Sequence, residues 1–371
     1  MRRSPSLTVC RCARLLSAAL LAFAAPALAQ PDPNAIGSLD NARIATPAER
    51  HGDLVYLASA MAEEDLAAVR AVAPGVRIIS GLDRRTAMEY APIAHAADAH
   101  LLTAEFLASA PNFVWAQSGS AGVDRYMGLE GIVENDAVVL TNMRAAHGPT
   151  IADHSFAMLL TLTRNLRAFE EAQRAGQWRR DAPGPSPIAL EGRTMLIVGF
   201  GGIGSEIGRR AHGFGMRVIA TRRSDDPGPE WVTRMGRSTE LMDMLPEADV
   251  VAICVPLTPE TEGLFDETAF AAMKPGAYLI NIARGAVVDT DALLATLRTG
   301  RLAGACLDVT DPEPLPAGHP LWRLPNVVIT PHIAGDADLT RDRAFALFRE
   351  NIRRFDAGKP LLNVVDKEAG Y

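Results

Sequence analysis

Three stretches of this chain carry ionisable groups suited to hydride chemistry. They are Asn281-Ile282-Ala283-Arg284-Gly285, Leu307-Asp308-Val309-Thr310-Asp311-Pro312-Glu313-Pro314 and Thr330-Pro331-His332-Ile333-Ala334-Gly335. Each follows a short apolar run that reads as a buried parallel strand. All three therefore fall at the carboxyl edge of one sheet, where ligands bind in open α/β folds. A fourth stretch, Gly199-Phe200-Gly201-Gly202-Ile203-Gly204, follows Thr194–Val198 and precedes a helix read over Ser205–Phe214. Strand, G-x-G-x-x-G and helix together form a dinucleotide-binding unit. Gly199 permits the tight turn, Gly201 lets a pyrophosphate approach the backbone, and Gly204 lets helix and strand pack closely. The pyrophosphate would sit on the free N–H groups and positive end of the helix.

The elements that must position these groups alternate regularly. Runs at Leu54–Ala58, Val76–Ile79, Phe113–Gln117 and Val138–Thr141 read as strands, with helices such as Glu64–Ala73 and Thr103–Ala108 between them. This predicts a first α/β domain. Residues 150–176 read as one long amphipathic helix. The glycine-rich unit opens a second domain with further strands at Arg217–Thr221, Val250–Val255, Ala277–Ile282, Gly304–Leu307 and Val327–Ile329. Helices at Asp266–Met273 and Thr290–Thr299 make this a doubly wound parallel sheet. A last helix at Leu339–Phe355 crosses back to the first domain, which makes the second an insertion.

The end of the strand Arg217–Thr221 bears on which dinucleotide fits. Recognition of NAD uses a carboxylate at that point, to bind the ribose 2′-OH. Here Thr221 runs into Arg222-Arg223-Ser224. Two guanidinium groups match a 2′-phosphate, which favours NADP(H) and leaves NAD(H) as the alternative. In that alternative the arginines are a solvated pair, and Asp225 or Asp226 reaches back for the ribose.

The chain has 371 residues, 37 basic and 44 acidic, with a net charge of −7. Length allows two ordinary domains. The start differs from the rest. Arg2, Arg3, Arg11 and Arg14 precede or flank an apolar stretch, Leu15–Leu28, that is too short to span a bilayer. Ala27-Leu28-Ala29 supplies a small-x-small cleavage site, so residues 1–29 read as a signal peptide and the mature protein as exported to the periplasm. The alternative is a cytoplasmic protein with a mis-assigned start. Loss of that leader removes four arginines and no acids, and the charge becomes −11. An acidic chain argues against nucleic acid as partner. No later segment is apolar enough to cross a membrane. Cys254 and Cys306 read as buried free thiols, and no metal site is expected.

The chain resembles the D-isomer-specific 2-hydroxyacid dehydrogenases, and within them the glyoxylate/hydroxypyruvate reductase branch. The likeness covers about residues 90–365. It rests on Ser118-Gly119-Ser120-Ala121-Gly122-Val123-Asp124, the glycine-rich turn, Val255-Pro256-Leu257-Thr258-Pro259-Glu260-Thr261, Ala283-Arg284-Gly285, Glu313-Pro314-Leu315 and Pro331-His332, in that order. The resemblance implies a two-lobed α/β fold. A Rossmann sheet over residues 147–336 is inserted into a smaller flavodoxin-like substrate domain formed by 30–146 and 337–371. It implies NAD(P)H-dependent reduction of a small 2-oxoacid to the D-2-hydroxyacid by a homodimer. Arg284 would hold the substrate carboxylate and polarise the keto oxygen, a task for a fixed charged fork. His332 would give that oxygen a proton. Glu313 would hydrogen-bond the other imidazole nitrogen and fix its orientation.

Backbone N–H groups around Gly119, Ser120, Ala121 and Gly122, with the Ala99-His100 turn, would complete the substrate pocket. Cofactor contacts are implied for Gly199, Gly201, Gly202, Ile203, Gly204, Thr221, Arg222, Arg223, Val255, Pro256, Thr261, Ile282, Ala283, Asp308 and Gly335. Among them Asp308 would orient the nicotinamide amide and Thr261 would brace its loop. His147 and His154 read as capping or packing residues. Two rival functions stand beside this one. A non-catalytic NADPH-sensing protein on the same scaffold would have no need of intact Arg284, Glu313 and His332. A formate-dehydrogenase-like enzyme would carry glutamine in place of Glu313.

Overall fold

Alternate residues along each central strand enter opposite cores, as the period of two requires. Leu196 and Val198 pack on one face of the second sheet, Met195 and Ile197 on the other. Leu54 and Tyr56 divide from Val55 and Leu57 in the same way in the first sheet. Both sheets are thus covered on both faces, which is why their strands read as continuous apolar runs. The structure is a computed structural model and describes residues 32–45, 53–181 and 184–371. The leader reading over 1–29 lies outside the described residues.

The first sheet contains β1 (Leu54–Leu57), β2 (Val76–Ile79), β3 (Ala96–Asp98), β4 (Trp115–Gln117) and β5 (Val139–Thr141). Its order is β2-β1-β3-β4-β5, parallel throughout, the flavodoxin-like arrangement. The second contains β6 (Thr194–Val198), β7 (Arg217–Arg222), β8 (Val232–Arg237), β9 (Val250–Ile253), β10 (Ala277–Asn281), β11 (Leu302–Leu307) and β12 (Val327–Ile329). Its order is β12-β11-β10-β9-β6-β7-β8, again parallel. Strand order reverses between β6 and β9, so the glycine-rich turn after β6 opens at the switch point where dinucleotides bind.

The chain returns to the first lobe through the helix Asp338–Asp356. Its Leu347, Phe348, Ile352 and Phe355 enter the core with Tyr56 and Trp115. The Trp115 ring lies 5.1 Å from Phe355 and 5.4 Å from Tyr56, and its indole N–H donates to Thr141 Oγ1 at 2.8 Å. The tryptophan thereby ties β4, β5 and the returning helix together just below the loop Ser118–Asp124.

Three expectations change. The helix read over 150–176 is two helices, Gly148–Thr163 and Leu166–Arg174. The break is at Asn165, whose φ of 54° is left-handed, a conformation that asparagine tolerates better than most residues. Strands β3 and β8 were not anticipated, because Ala-Ala-Asp and Val-Thr-Arg-Met-Gly-Arg lack a strand-like apolar pattern. The helix after the glycine turn begins at Gly202, not Ser205, so Gly202, Ile203 and Gly204 form its first turn. No helix among the described residues is long and apolar enough to cross a membrane.

Candidate active site

The glycine turn forms an open cradle. Gly199 has a φ of +98°, and an added Cβ there would lie about 3 Å from the Cys254 backbone. At Gly204 a Cβ would stand 2.2 Å from the Gly199 carbonyl oxygen, so only glycine lets the helix sit this close to the turn. Gly201 differs: a Cβ there would meet nothing within 4 Å. Open space in front of a helix N-terminus fits a pyrophosphate. Gly202 lies against Ala145, and Ile203 packs on the core of the second sheet.

The walls of the cradle are braced from neighbouring strands. The Thr221 carbonyl accepts from the N–H groups of Gly199 and Phe200 at 3.2 and 2.8 Å. Thr261 Oγ1 donates to the Pro256 carbonyl at 2.6 Å and accepts from Thr258 N at 2.8 Å. Val255 lies beside Gly199, and Ile282 and Ala283 are buried at the end of β10. Cys254 and Cys306 are free, and burial pushes both thiols up, Cys254 to about 12, so neither is a nucleophile at neutral pH.

Where β7 and β8 end, three guanidinium groups cluster. Arg222 pairs with Asp226 at 2.8 Å, and Arg237 pairs with Asp225 and donates to the Arg223 carbonyl at 2.6 Å. Asp225 and Asp226 are therefore engaged with arginines. Arg223 lies over the ring of Tyr371. Arg237 escaped the sequence reading because it sits on the unanticipated β8, where it pairs in register with Arg222.

Asp308 shapes the loop that carries His332. Its carboxylate is buried and accepts from Thr330 Oγ1 at 2.6 Å, Ile333 N at 3.0 Å and Ala334 N at 2.9 Å. Its carbonyl accepts from His332 N at 2.8 Å. These bonds hold His332 at a φ of 55°, a left-handed backbone that costs on the order of 1–3 kcal/mol for a residue with a side chain. The imidazole then meets Glu313, with Nδ1 and Oε1 2.7 Å apart, both side chains about half exposed. His154 joins from the helix Gly148–Thr163. With the Thr330 hydroxyl donating to Asp308, its oxygen accepts from His154 Nε2 at 2.9 Å. Sequence gave no signal for that link, since it spans 176 residues. His147 precedes the same helix beneath Gly335 and makes no side-chain capping bond; its Nδ1 lies 3.2 Å from the Met143 carbonyl and its Cδ2 3.1 Å from where a Gly335 Cβ would stand. Burial lowers the pKa of this ring, against the opposing pull of the Met143 carbonyl and the Asp336 carboxylate.

Arg284 reaches the other lobe. Its Nε and Nη2 donate to Asp124 Oδ1 at 3.1 and 2.9 Å, and Nη1 donates to the Ala283 carbonyl at 2.8 Å. Three of the five guanidinium N–H groups are thus committed, which leaves two for a ligand. Nothing local to Asp124 signals this role, because its partner lies 160 positions away. Gly285 abuts Thr310, where a Cβ would stand 2.0 Å from the carbonyl oxygen, so the Arg284 and Glu313 loops touch.

Opposite Arg284, the loop Ser118–Asp124 turns its carbonyls inward. Those of Ser120, Ala121 and Gly122 accept from Met143 N, Asn142 Nδ2 and Ser120 Oγ. The N–H groups of Gly119, Ala121 and Gly122 donate to no protein atom among the described residues, whereas that of Ser120, expected to join them, is taken up by Ser118 Oγ at 3.2 Å. Such a row of free N–H groups suits an anion. The Ala99-His100 turn ends the neighbouring strand β3; Ala99 is buried, the His100 ring is exposed and its carbonyl accepts from Arg84. No group of three or more His, Cys, Asp or Glu among the described residues could hold a metal ion.

The family model described as "D-isomer specific 2-hydroxyacid dehydrogenase, NAD binding domain" matches residues 156–334. A glyoxylate reductase of Thermococcus litoralis is 35% identical over 270 residues, which is 71% of this chain and 80% of that protein. This chain belongs to the D-isomer-specific 2-hydroxyacid dehydrogenase family. It is an oxidoreductase acting on CH–OH donors, with a nicotinamide dinucleotide domain. Two solved structures extend the likeness. The D-isomer specific 2-hydroxyacid dehydrogenase of Xanthobacter autotrophicus Py2, solved with NADPH and MES, is 31% identical with a TM-score of 0.72, over 86% of this chain and 100% of that one. The NADPH-dependent glyoxylate/hydroxypyruvate reductase of Sinorhizobium meliloti, solved with NADP and sulfate, is 29% identical with a TM-score of 0.71, over the same shares.

The contact between Arg284 and Gly122 makes one substitution informative. A Cβ on Gly122 would stand 1.7 Å from Arg284 Nη2, so the guanidinium must move. Gly122→Ala is expected to lower kcat/KM for any 2-oxoacid that the wild type reduces by roughly a hundredfold, with the thermal midpoint little changed. Unaltered kinetics would show that Arg284 does not act from this position.

Proposed function

We propose that this dehydrogenase reduces a small 2-oxoacid of the glyoxylate or hydroxypyruvate kind to the D-2-hydroxyacid, with NADPH preferred over NADH. The observation that carries this is the Glu313–His332 pair at 2.7 Å, on the same sheet edge as Arg284 and the glycine cradle. The glyoxylate reductases among its relatives support the substrate class. The absence of a carboxylate at the end of β7, and NADP or NADPH in two related structures, support the cofactor preference.

The glycine turn, Thr221, the 255–261 loop and Arg223 would hold the cofactor, which supplies the hydride when bound. The two uncommitted N–H groups of Arg284 and the free N–H groups of Gly119, Ala121 and Gly122 hold the substrate carboxylate and polarise the keto oxygen. His332 delivers a proton from Nε2 to that oxygen. Glu313 accepts from Nδ1 and fixes which nitrogen faces the substrate. Asp308 sets the backbone from which His332 acts.

The test is oxidation of NADPH and NADH against a panel of 2-oxoacids, with His332→Ala beside the wild type. Loss of about 10²–10⁴ in kcat in the variant is expected. Full activity of the variant would refute the mechanism. Tight NADPH binding with no turnover of any 2-oxoacid by the wild type would favour the sensing alternative.

We also propose that the mature chain is exported and works as a homodimer. The basic, apolar leader with its Ala27-Leu28-Ala29 site supports export. The homodimer rests on the family resemblance, since chains of this kind usually pair through their cofactor domains. Native mass spectrometry of protein taken from fractionated cells reads both. A dimer beginning at Gln30 in the periplasmic fraction is expected; a cytosolic monomer retaining residues 1–29 would contradict both.

A further inference from the structure

The last residues of the chain bring an aromatic ring from the substrate lobe to the cofactor lobe. Val364 bridges Thr141 of β5, Val365 N donates to the Leu140 carbonyl at 2.8 Å, and both side chains are buried in the first lobe. A tight turn then follows. Asp366 Oδ1 accepts from Glu368 N and Ala369 N, the Asp366 carbonyl accepts from Gly370 N, and Asp366 N donates to the Tyr371 carbonyl. The turn aims Tyr371 across the cleft, with Gly370 beside Thr258 of the 255–261 loop. The Arg223 guanidinium carbon stands 4.2 Å from the centre of the Tyr371 ring.

The three guanidinium groups where β7 and β8 end differ in what holds them. Arg222 and Arg237 are each paired with an aspartate, which largely neutralises them toward an incoming anion. Arg223 makes no ion pair among the described residues. An aromatic face orders a cation without supplying an opposing charge. Arg223 is therefore restrained without an acidic partner among the described residues, at the point where such folds bind the adenosine ribose. Burial raises the phenol of Tyr371 while Arg223 opposes that rise, which agrees with close approach of ring and cation.

We propose that Tyr371 is a specificity-determining residue. It holds Arg223, from the opposite lobe, in position for the 2′-phosphate of the cofactor. This rests on the NADPH preference proposed above and adds that the substrate lobe enforces it. Tyr371 acts through Arg223, so it is a positioning residue.

Nucleotide fluorescence titrations of the full mature chain with NADPH and NADH test this, with 2′,5′-ADP as a competitor that carries no nicotinamide. Tyr371→Ala is expected to raise the Kd of NADPH and of 2′,5′-ADP by roughly three- to fivefold and to leave NADH unchanged. Tyr371→Phe, which keeps the ring, should match the wild type. In an Arg223→Ala background, Tyr371→Ala should have no further effect. If Tyr371→Ala alters both dinucleotides equally, alters neither, or tightens NADPH, the proposal is overturned. A wild type that binds NADH as tightly as NADPH sinks the cofactor preference and this inference together. A wild type that prefers NADPH beside a silent Tyr371→Ala sinks the inference alone.

Discussion

The carboxylate of Asp308 is the constraint on which the site depends. An ionised carboxylate removed from water costs several kcal/mol unless it is well bonded. Here three donors converge on it, each bond to a charged group being worth about 1.5–3 kcal/mol. The bonds offset the burial and bend the loop around the acid. His332 is the residue caught in that bend, with a left-handed backbone that its own propensity would not choose. Glu313 then has only to reach one nitrogen. The histidine is thus placed by a buried anion that sits behind it and need not touch the substrate.

A second set of contacts brings the two lobes to the same place. Arg284 leaves the end of β10 and pairs with Asp124 of the first lobe, resting on the bare backbone of Gly122. The loop it meets has its carbonyls turned away and its N–H groups outward, so one side of the pocket is a positive fork and the other a row of donors. Both suit a carboxylate. The cradle at Gly201 opens at the switch point of the same sheet, which puts cofactor and substrate groups within one cleft without any further device.

Much of this was legible in the sequence, and the reasons differ by element. The strands buried on both faces announced themselves as apolar runs, and the glycine spacing carried its own mechanism. The place of Arg284, Glu313 and His332 on one sheet edge was legible because each follows such a strand, while the role of each came only from the family resemblance. What escaped depended on distant partners. Asp124 and His154 gain meaning only from residues 160 and 176 positions away. Strand β8 was missed because an edge strand half exposed to water lacks the apolar pattern, and Arg237 was lost with it. The break at Asn165 hid inside an otherwise helical period, since a single left-handed residue leaves little trace in hydrophobic spacing.

Asp308 offers the most direct discrimination, because two roles can be assigned to it. It either holds His332, or, as the family resemblance implies, orients the nicotinamide amide. The measurement is the single-turnover rate of Asp308→Asn at saturating NADPH. An amide keeps the volume but cannot accept all three bonds, so His332 should drift from its place. A rate lower by roughly two orders of magnitude is expected even when cofactor saturates. A rate equal to that of the wild type at saturation, with the whole defect in cofactor affinity, would contradict it.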